Sequence, residues 1–177
     1  LVTIVAGFLE GLGWQGSHDE IRAATGDIAQ EISDTGAAEY LTGLPALADD
    51  SGLCVSALGG APGVFSARYA GEPKSDARNN AKLVAELQGK ADRRAHYVAV
   101  LVLMRHADDP QPIVTEGEWH GEIVDAPRGD GGFGYDPYFL VPELKLTVAE
   151  LPHEEKNRRS HRGQALAQLL ARLRSGA

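Results

Sequence analysis

At 177 residues the chain suits one domain, or two small lobes sharing a core. Its 43% hydrophobic content excludes a disordered chain, and its net charge of −8 argues against a nucleic-acid backbone as the main partner. The single cysteine, Cys54, excludes an internal disulfide and, with no zinc-type Cys/His spacing, points to a reducing cytoplasm.

Leu1, Ile4, Val5, Phe8, Leu9 and Leu12 recur at helical spacing, with Gly13 placed to end that helix. The opening LVTIVAGFLEGLGW has no basic leader and no small-residue cleavage site, so no signal peptide is expected. Trp14 to Thr25 reads as a loop or irregular strand, and Asp27 to Leu41 as a second helix with Gly43 as its C-cap. Pro45 to Asp49 reads as a short buried strand, followed by a loop-rich stretch from Gly52 to Gly71. Ser75 is an N-cap for a helix running to Leu87 and closed by Gly89. Ala95 to Arg105 is a β run too continuously apolar for a half-exposed strand. Within it, Tyr97 to Met104 is the longest strongly apolar run, far short of a membrane span.

Ile113 to Trp119 alternates apolar and polar residues, and Gly121 to Val124 is expected to pair beside it. Tyr138 to Val141 is another short strand, and Thr147 with Glu150 has the capping-box pattern for one helical turn. The tail from Ser160 to Leu173 sets Ala165, Leu166, Leu169, Leu170 and Leu173 on one helix face. This loose alternation predicts an α/β fold, with a mixed central sheet flanked by helices and two lobes with a cleft between them.

Four blocks attract notice; in the fourth, Ser66-Ala67-Arg68-Tyr69, Arg68 can reach an anion or tie its loop to the Asp49-Asp50 pair by a salt bridge, and the structural role is favoured. Asp49 and Asp50 sit side by side at the end of an apolar run, before Ser51-Gly52. Like charges that close disfavour each other, so a cation or a proton is expected to offset them. Carboxylate oxygens suit Mg²⁺, and one aspartate can activate a water as general base. A plain Asx turn explains the same residues equally well. The second block is Gly129-Asp130-Gly131-Gly132-Phe133-Gly134-Tyr135-Asp136-Pro137. Its glycines permit close backbone approach, Phe133 and Tyr135 offer flat surfaces for a purine, and Asp136 can accept from a ring N–H. A hairpin loop whose aromatics cover the core is the structural alternative. The third block places five Lys, Arg or His residues between Lys156 and Arg162. It supplies the local cations an acidic chain needs to hold an anion, or else a solvated helix face with acid–base pairs such as Glu154 and Arg158.

Together the blocks TGLPALADDSGLCVSALGGAPGVFSARYAG (Thr42–Gly71), GGFGYDPYFLVP (Gly131–Pro142) and EEKNRRSHRGQAL (Glu154–Leu166) resemble the inosine/xanthosine triphosphate pyrophosphatases. That family hydrolyses non-standard purine nucleoside triphosphates (ITP, dITP, XTP) to monophosphate and pyrophosphate. The resemblance covers Thr42 to the carboxyl terminus and implies a Mg²⁺-dependent, homodimeric, cytoplasmic enzyme acting on a small purine nucleotide, with no membrane partner. It implies that Asp50 is the general base and a metal ligand, with Asp49 helping to hold metal or water. Ser51 is implied to contact substrate, and Phe133, Gly134, Tyr135 and Asp136 to receive the purine. Lys156, His161 and Arg162 are implied to contact the nucleotide, the last two near its 6-oxo group. Cationic donors aimed at that oxygen leave adenine's amine unmatched, at a cost of about 1–3 kcal/mol.

Two family features depart here. The opening strand with its Ser/Thr-x-Asn-x-x-Lys turn is absent, so that either residues are missing upstream of Leu1 or the triphosphate half of the site is damaged. The Phe-x-Glu-Asn-Ala-x-x-Lys-Ala helix corresponds to DIAQEISDT (Asp27–Thr35), where Glu31 is the nearest acid and Asp34 replaces the lysine. The departures leave open a purine-nucleotide-binding protein of the same fold with an impaired triphosphate site and no turnover.

Overall fold

The computed structural model describes residues 45–106 and 109–175. The helices expected over 1–12 and 27–41, with Glu31 and Asp34, lie outside the described residues. Among the described residues, six strands form one sheet: β1 Ala46–Val55, β2 Pro62–Gly63, β3 Arg94–Met104, β4 Ile113–Ile123, β5 Phe139–Val141 and β6 Leu146–Thr147. Their order across the sheet is β2-β1-β3-β4-β5-β6. The pairings of β1 with β2, β4 with β5 and β5 with β6 are antiparallel. Helices α1 (Asp76–Glu86), α2 (His153–Arg159) and α3 (His161–Arg174) complete the α/β architecture. Among the described residues, no helix is long and apolar enough to cross a membrane.

Two strands are longer than their sequence suggests, and a glycine is the reason in each. β1 runs through Asp49 and Asp50 to Val55 instead of ending at Asp49. Gly52, which reads as a turn signal, lies inside the strand because the β2 backbone presses on it. A Cβ there would lie 2.3 Å from the Gly63 carbonyl oxygen. Likewise Ile113 to Ile123 is one strand with strict buried–exposed alternation, not a strand paired with a second one at Gly121. A Cβ on Gly121 would lie 2.4 Å from both the Leu140 oxygen and the Phe139 ring.

The caps follow the sequence closely. Ser75 Oγ accepts from the Arg78 N–H at 3.3 Å to start α1, and Gly89 takes φ +74° just beyond its end. Thr147 and Glu150 form a reciprocal capping box on the single 3-10 turn Val148–Glu150.

By their contacts the residues divide into two compact units. One comprises Leu1–Asp50, Ala99–Gly117 and Ala165–Ala177; the other comprises Ser51–Val98 and Glu118–Gln164. The second has a large core with Leu53, Val55, Leu83, Leu87, Tyr97, Trp119, Tyr135 and Phe139 in one cluster. Among its described residues, the first has an aliphatic cluster of Leu101, Ile113, Ala165 and Leu169. Of the apolar face expected on α3, Ala165 and Leu169 are buried, while Leu166, Leu170 and Leu173 are exposed. The buried pair is spaced four apart, and each exposed leucine next to it is turned about 100° away around the helix.

Candidate active site

The glycine-rich loop, α2, the start of α3 and the Ser51 end of β1 belong to the same unit, Ser51–Val98 with Glu118–Gln164. Three hydrogen bonds join the sequence blocks there. Arg162 donates through Nη2 to Ser51 Oγ at 2.6 Å, Lys156 Nζ donates to Asp136 Oδ2 at 2.5 Å, and the Tyr135 hydroxyl donates to the Ser66 carbonyl at 2.8 Å. Residues up to 111 positions apart in sequence are thereby tied together.

The corner between α2 and α3 sets the basic groups. Ser160 is the N-cap of α3, its Oγ accepting from the Gly163 N–H at 3.0 Å. The chain turns so tightly there that a Cβ on residue 163 would lie 1.9 Å from the Asn157 carbonyl oxygen. His161 and Arg162 thus occupy the first two positions of α3. The basic cluster divides by partner. Arg158 and Arg159 both bind Glu155, at 2.8 Å and 2.5 Å, in place of the Glu154–Arg158 pairing the spacing suggested. Lys156 turns the other way, to Asp136 and to the Phe133 ring, whose centroid lies 4.7 Å from Nζ.

His161 departs from the expected cationic donor. It is 9% exposed, stacks on Tyr97 with ring centroids 4.9 Å apart, and its buried Nδ1 has no hydrogen-bond partner. Burial first, then the charges of Arg162 and Lys156, bring its pKa down to about 3. At neutral pH the ring is therefore uncharged, and the cationic groups of the corner are Arg162 and Lys156.

The loop's two aromatic side chains also differ. Phe133 is 67% exposed and presents its ring to solvent. Tyr135, expected to be a second stacking surface, is 5% exposed and belongs to the core. Burial, followed by the negative charges nearby, raises its hydroxyl pKa. Asp136 is 4% exposed, and its carboxylate accepts from Lys156, from the Phe133 N–H at 2.9 Å and from the Tyr97 hydroxyl at 3.2 Å. It faces inward as a tie for the loop. Gly132 is required beside it, with φ +76° and a would-be Cβ only 2.1 Å from Asp136 Oδ2. Tyr97, a site contributor the sequence did not single out, carries the one aromatic hydroxyl in the apolar run Tyr97 to Met104. Burial foremost, and then the Asp136 charge, push its pKa well up, so it stays a neutral donor.

Asp49 and Asp50 are half-buried on β1, and Asp50 is joined by a peptide bond to Ser51. Among the described residues, no three His, Cys, Asp or Glu side chains converge as a metal-binding group. A carboxylate is nonetheless the donor type that Mg²⁺ takes when waters and substrate phosphates complete its shell, and either aspartate can supply one. Within their own unit, the loop, α2 and the start of α3 offer an exposed aromatic face, two cations and a neutral imidazole.

The chain matches the family model described as the Ham1 family over residues 8–172. A relative from Ralstonia nicotianae, named dITP/XTP pyrophosphatase, is 71% identical over 140 residues, covering 77% of this chain and 70% of the relative. A solved HAM1 protein structure from Coxiella burnetii is 50% identical with a TM-score of 0.76, covering 80% of this chain and 73% of that one. The Ham1 protein structure from Staphylococcus aureus is 43% identical with a TM-score of 0.78, covering 85% and 77%.

Proposed function

The chain belongs to the Ham1 family, and from that premise we propose that it hydrolyses dITP, XTP and related non-standard purine nucleoside triphosphates to monophosphate and pyrophosphate, using Mg²⁺. The observation that supports this reading best is the Arg162–Ser51 bond, which ties the aspartate-bearing block of β1 to the basic corner of α3. Phe133 is the platform for the purine, with Lys156 held over its ring. The neutral His161 and the cationic Arg162 face the base's polar edge. A 6-oxo group accepts from such donors, whereas adenine's amine competes with them.

Asp50 is the proposed general base, taking the proton of the attacking water. Asp50 would also hold Mg²⁺, which when bound neutralises phosphate charge on substrate and pyrophosphate. Successive side chains along a strand point to opposite faces, so Asp49 and Asp50 are separable by mutation. The homodimeric state and cytoplasmic location implied by the resemblance form part of the same proposal.

Pyrophosphate release from dITP, XTP, ATP and GTP in Mg²⁺ tests it. The wild-type chain is expected to turn over dITP and XTP in preference to ATP and GTP, and to fall to background with chelator. Asp50→Asn is expected to lose about 10³-fold or more in kcat, the scale of a removed base and charge stabiliser together. Asp49→Asn, on the opposite face of β1, is expected to have a much smaller effect on kcat, and an altered Mg²⁺ requirement in it would mark Asp49 as a contributor to metal or water binding. Tight IMP binding without pyrophosphate release would instead make the chain a nucleotide binder, and full activity in Asp50→Asn would remove the assigned base.

A further inference from the structure

The exposed Phe133 ring sits on a loop that glycines make soft, so something outside the loop must hold it still. Asp136 braces it from within, accepting from the Phe133 N–H. A second brace comes from α1. Gly134 donates its N–H to Asp76 Oδ2 at 2.9 Å, and its carbonyl accepts from Asn80 Nδ2 at 2.8 Å. Asp76 and Asn80 are four apart on α1, so they lie one above the other on a single face. Both polar backbone groups of Gly134 are therefore gripped by one turn of one helix. The grip comes next in sequence to Phe133, at a residue with φ +60° that the loop on its own does not favour over other conformations. Asn80 is 7% exposed, and its other amide atom, Oδ1, is buried with no hydrogen-bond partner. A buried amide with half its capacity unused is held there for the half that is used.

Asn79, between these two residues on the same helix, is fixed as well. Asn79 Oδ1 accepts from the Ala70 N–H at 2.8 Å, and its Nδ2 donates to the Ala67 carbonyl at 2.9 Å. The first turns of α1 thus tie the segment before the helix to the loop that carries the aromatic platform.

We propose that Asp76 and Asn80 are positioning residues for base recognition, setting the angle of the Phe133 platform through the Gly134 peptide. The proposal rests on the reading of Phe133 as the purine platform. It assigns to α1 a part in selecting the base, although neither residue touches the base.

Steady-state kinetics with dITP and dATP test it on Asp76→Ala, Asp76→Asn and Asn80→Ala, each also in a Phe133→Ala background. Asp76→Ala and Asn80→Ala are expected to raise KM for dITP about 5- to 10-fold with kcat within 2-fold of wild type, and to narrow the preference for dITP over dATP. Asp76→Asn keeps an acceptor for the Gly134 N–H and is expected to behave as wild type; if it behaves as Asp76→Ala, charge at the helix start is the cause and the clamp is overturned. In the Phe133→Ala background the two alanine variants should add nothing further to KM. An equal, additive rise there overturns the proposal, because the residues would then act by another route. Hydrogen exchange read on the peptide spanning Gly134 serves as the structural readout. It is expected to quicken in Asp76→Ala with the melting temperature held, and unchanged exchange overturns the clamp. Absence of dITP turnover in the wild-type chain would instead count against the proposed function, with the exchange result still reporting on the clamp.

Discussion

Among the described residues, two hydrophobic clusters are built from different material. The smaller, Leu101, Ile113, Ala165 and Leu169, is aliphatic. The larger contains Tyr97, Trp119, Tyr135 and Phe139, and two of these rings end in hydroxyls that reach the glycine-rich loop and the segment before α1. Tyr97 donates to Asp136, and Tyr135 donates to Ser66. An aliphatic side chain contributes burial alone, whereas a buried tyrosine contributes burial and a directed bond. The larger cluster therefore serves as both core and anchor of the glycine-rich loop, whereas the described part of the other contributes burial alone.

The sharpest test sets one substitution in each cluster against the other. Tyr135→Ala is expected to cost about 3–5 kcal/mol of stability and to lower activity as well, because the glycine-rich loop loses its anchor. Leu169→Ala is expected to cost about 2–5 kcal/mol with kcat/KM per folded molecule unchanged. Urea unfolding and dITP kinetics measured on the same samples separate the two, and equal loss of activity in both would dissolve the distinction.

A pH series probes the imidazole stacked on the larger cluster. The folded-state pKa of His161 is depressed to about 3, below the ordinary value of 6.5. The unfolded chain therefore takes up this proton first as pH falls. The contribution of His161 is fully present above pH 6.5 and is lost progressively between 6.5 and 3, amounting to a few kcal/mol. The difference in unfolding free energy between wild type and His161→Asn should shrink over that window. A difference that is flat with pH would place the imidazole in a more polar setting.

The smallest effect on stability is expected at the exposed edge of the loop. Phe133→Ala should change unfolding free energy by less than about 0.5 kcal/mol. Loss of base stacking should still weaken dITP binding by about 1–3 kcal/mol, roughly a 5- to 150-fold rise in KM. A large stability loss here would make Phe133 a core residue after all.

Local signals were legible in the sequence and tertiary ones were not. The Ser75 cap, the Thr147–Glu150 box and the long β run each depend on residues within one turn or one strand, and all three are where the sequence placed them. Gly52 and Gly121 read as breaks because a glycine in a strand looks the same whether it turns the chain or admits a neighbour, and the neighbours, Gly63 and Phe139, lie on other strands. Tyr135 read as a ligand surface because its partner Ser66 is 69 residues away. The neutral state of His161 follows from burial, which no local pattern records. The three blocks, by contrast, are short runs that stand out locally, and the Arg162–Ser51 and Lys156–Asp136 hydrogen bonds link them in the fold.

The contact beneath Gly163 has a consequence for how a ligand is met. With α2 and α3 abutting backbone to backbone at that corner, the separation between the Lys156 and Arg162 stems is fixed by main chain rather than by side-chain choice. An incoming anion thus finds its countercharges already spaced, and little freedom is left to surrender on capture. Any residue bulkier than hydrogen at position 163 would loosen that spacing and slacken the grip while leaving every charge in place.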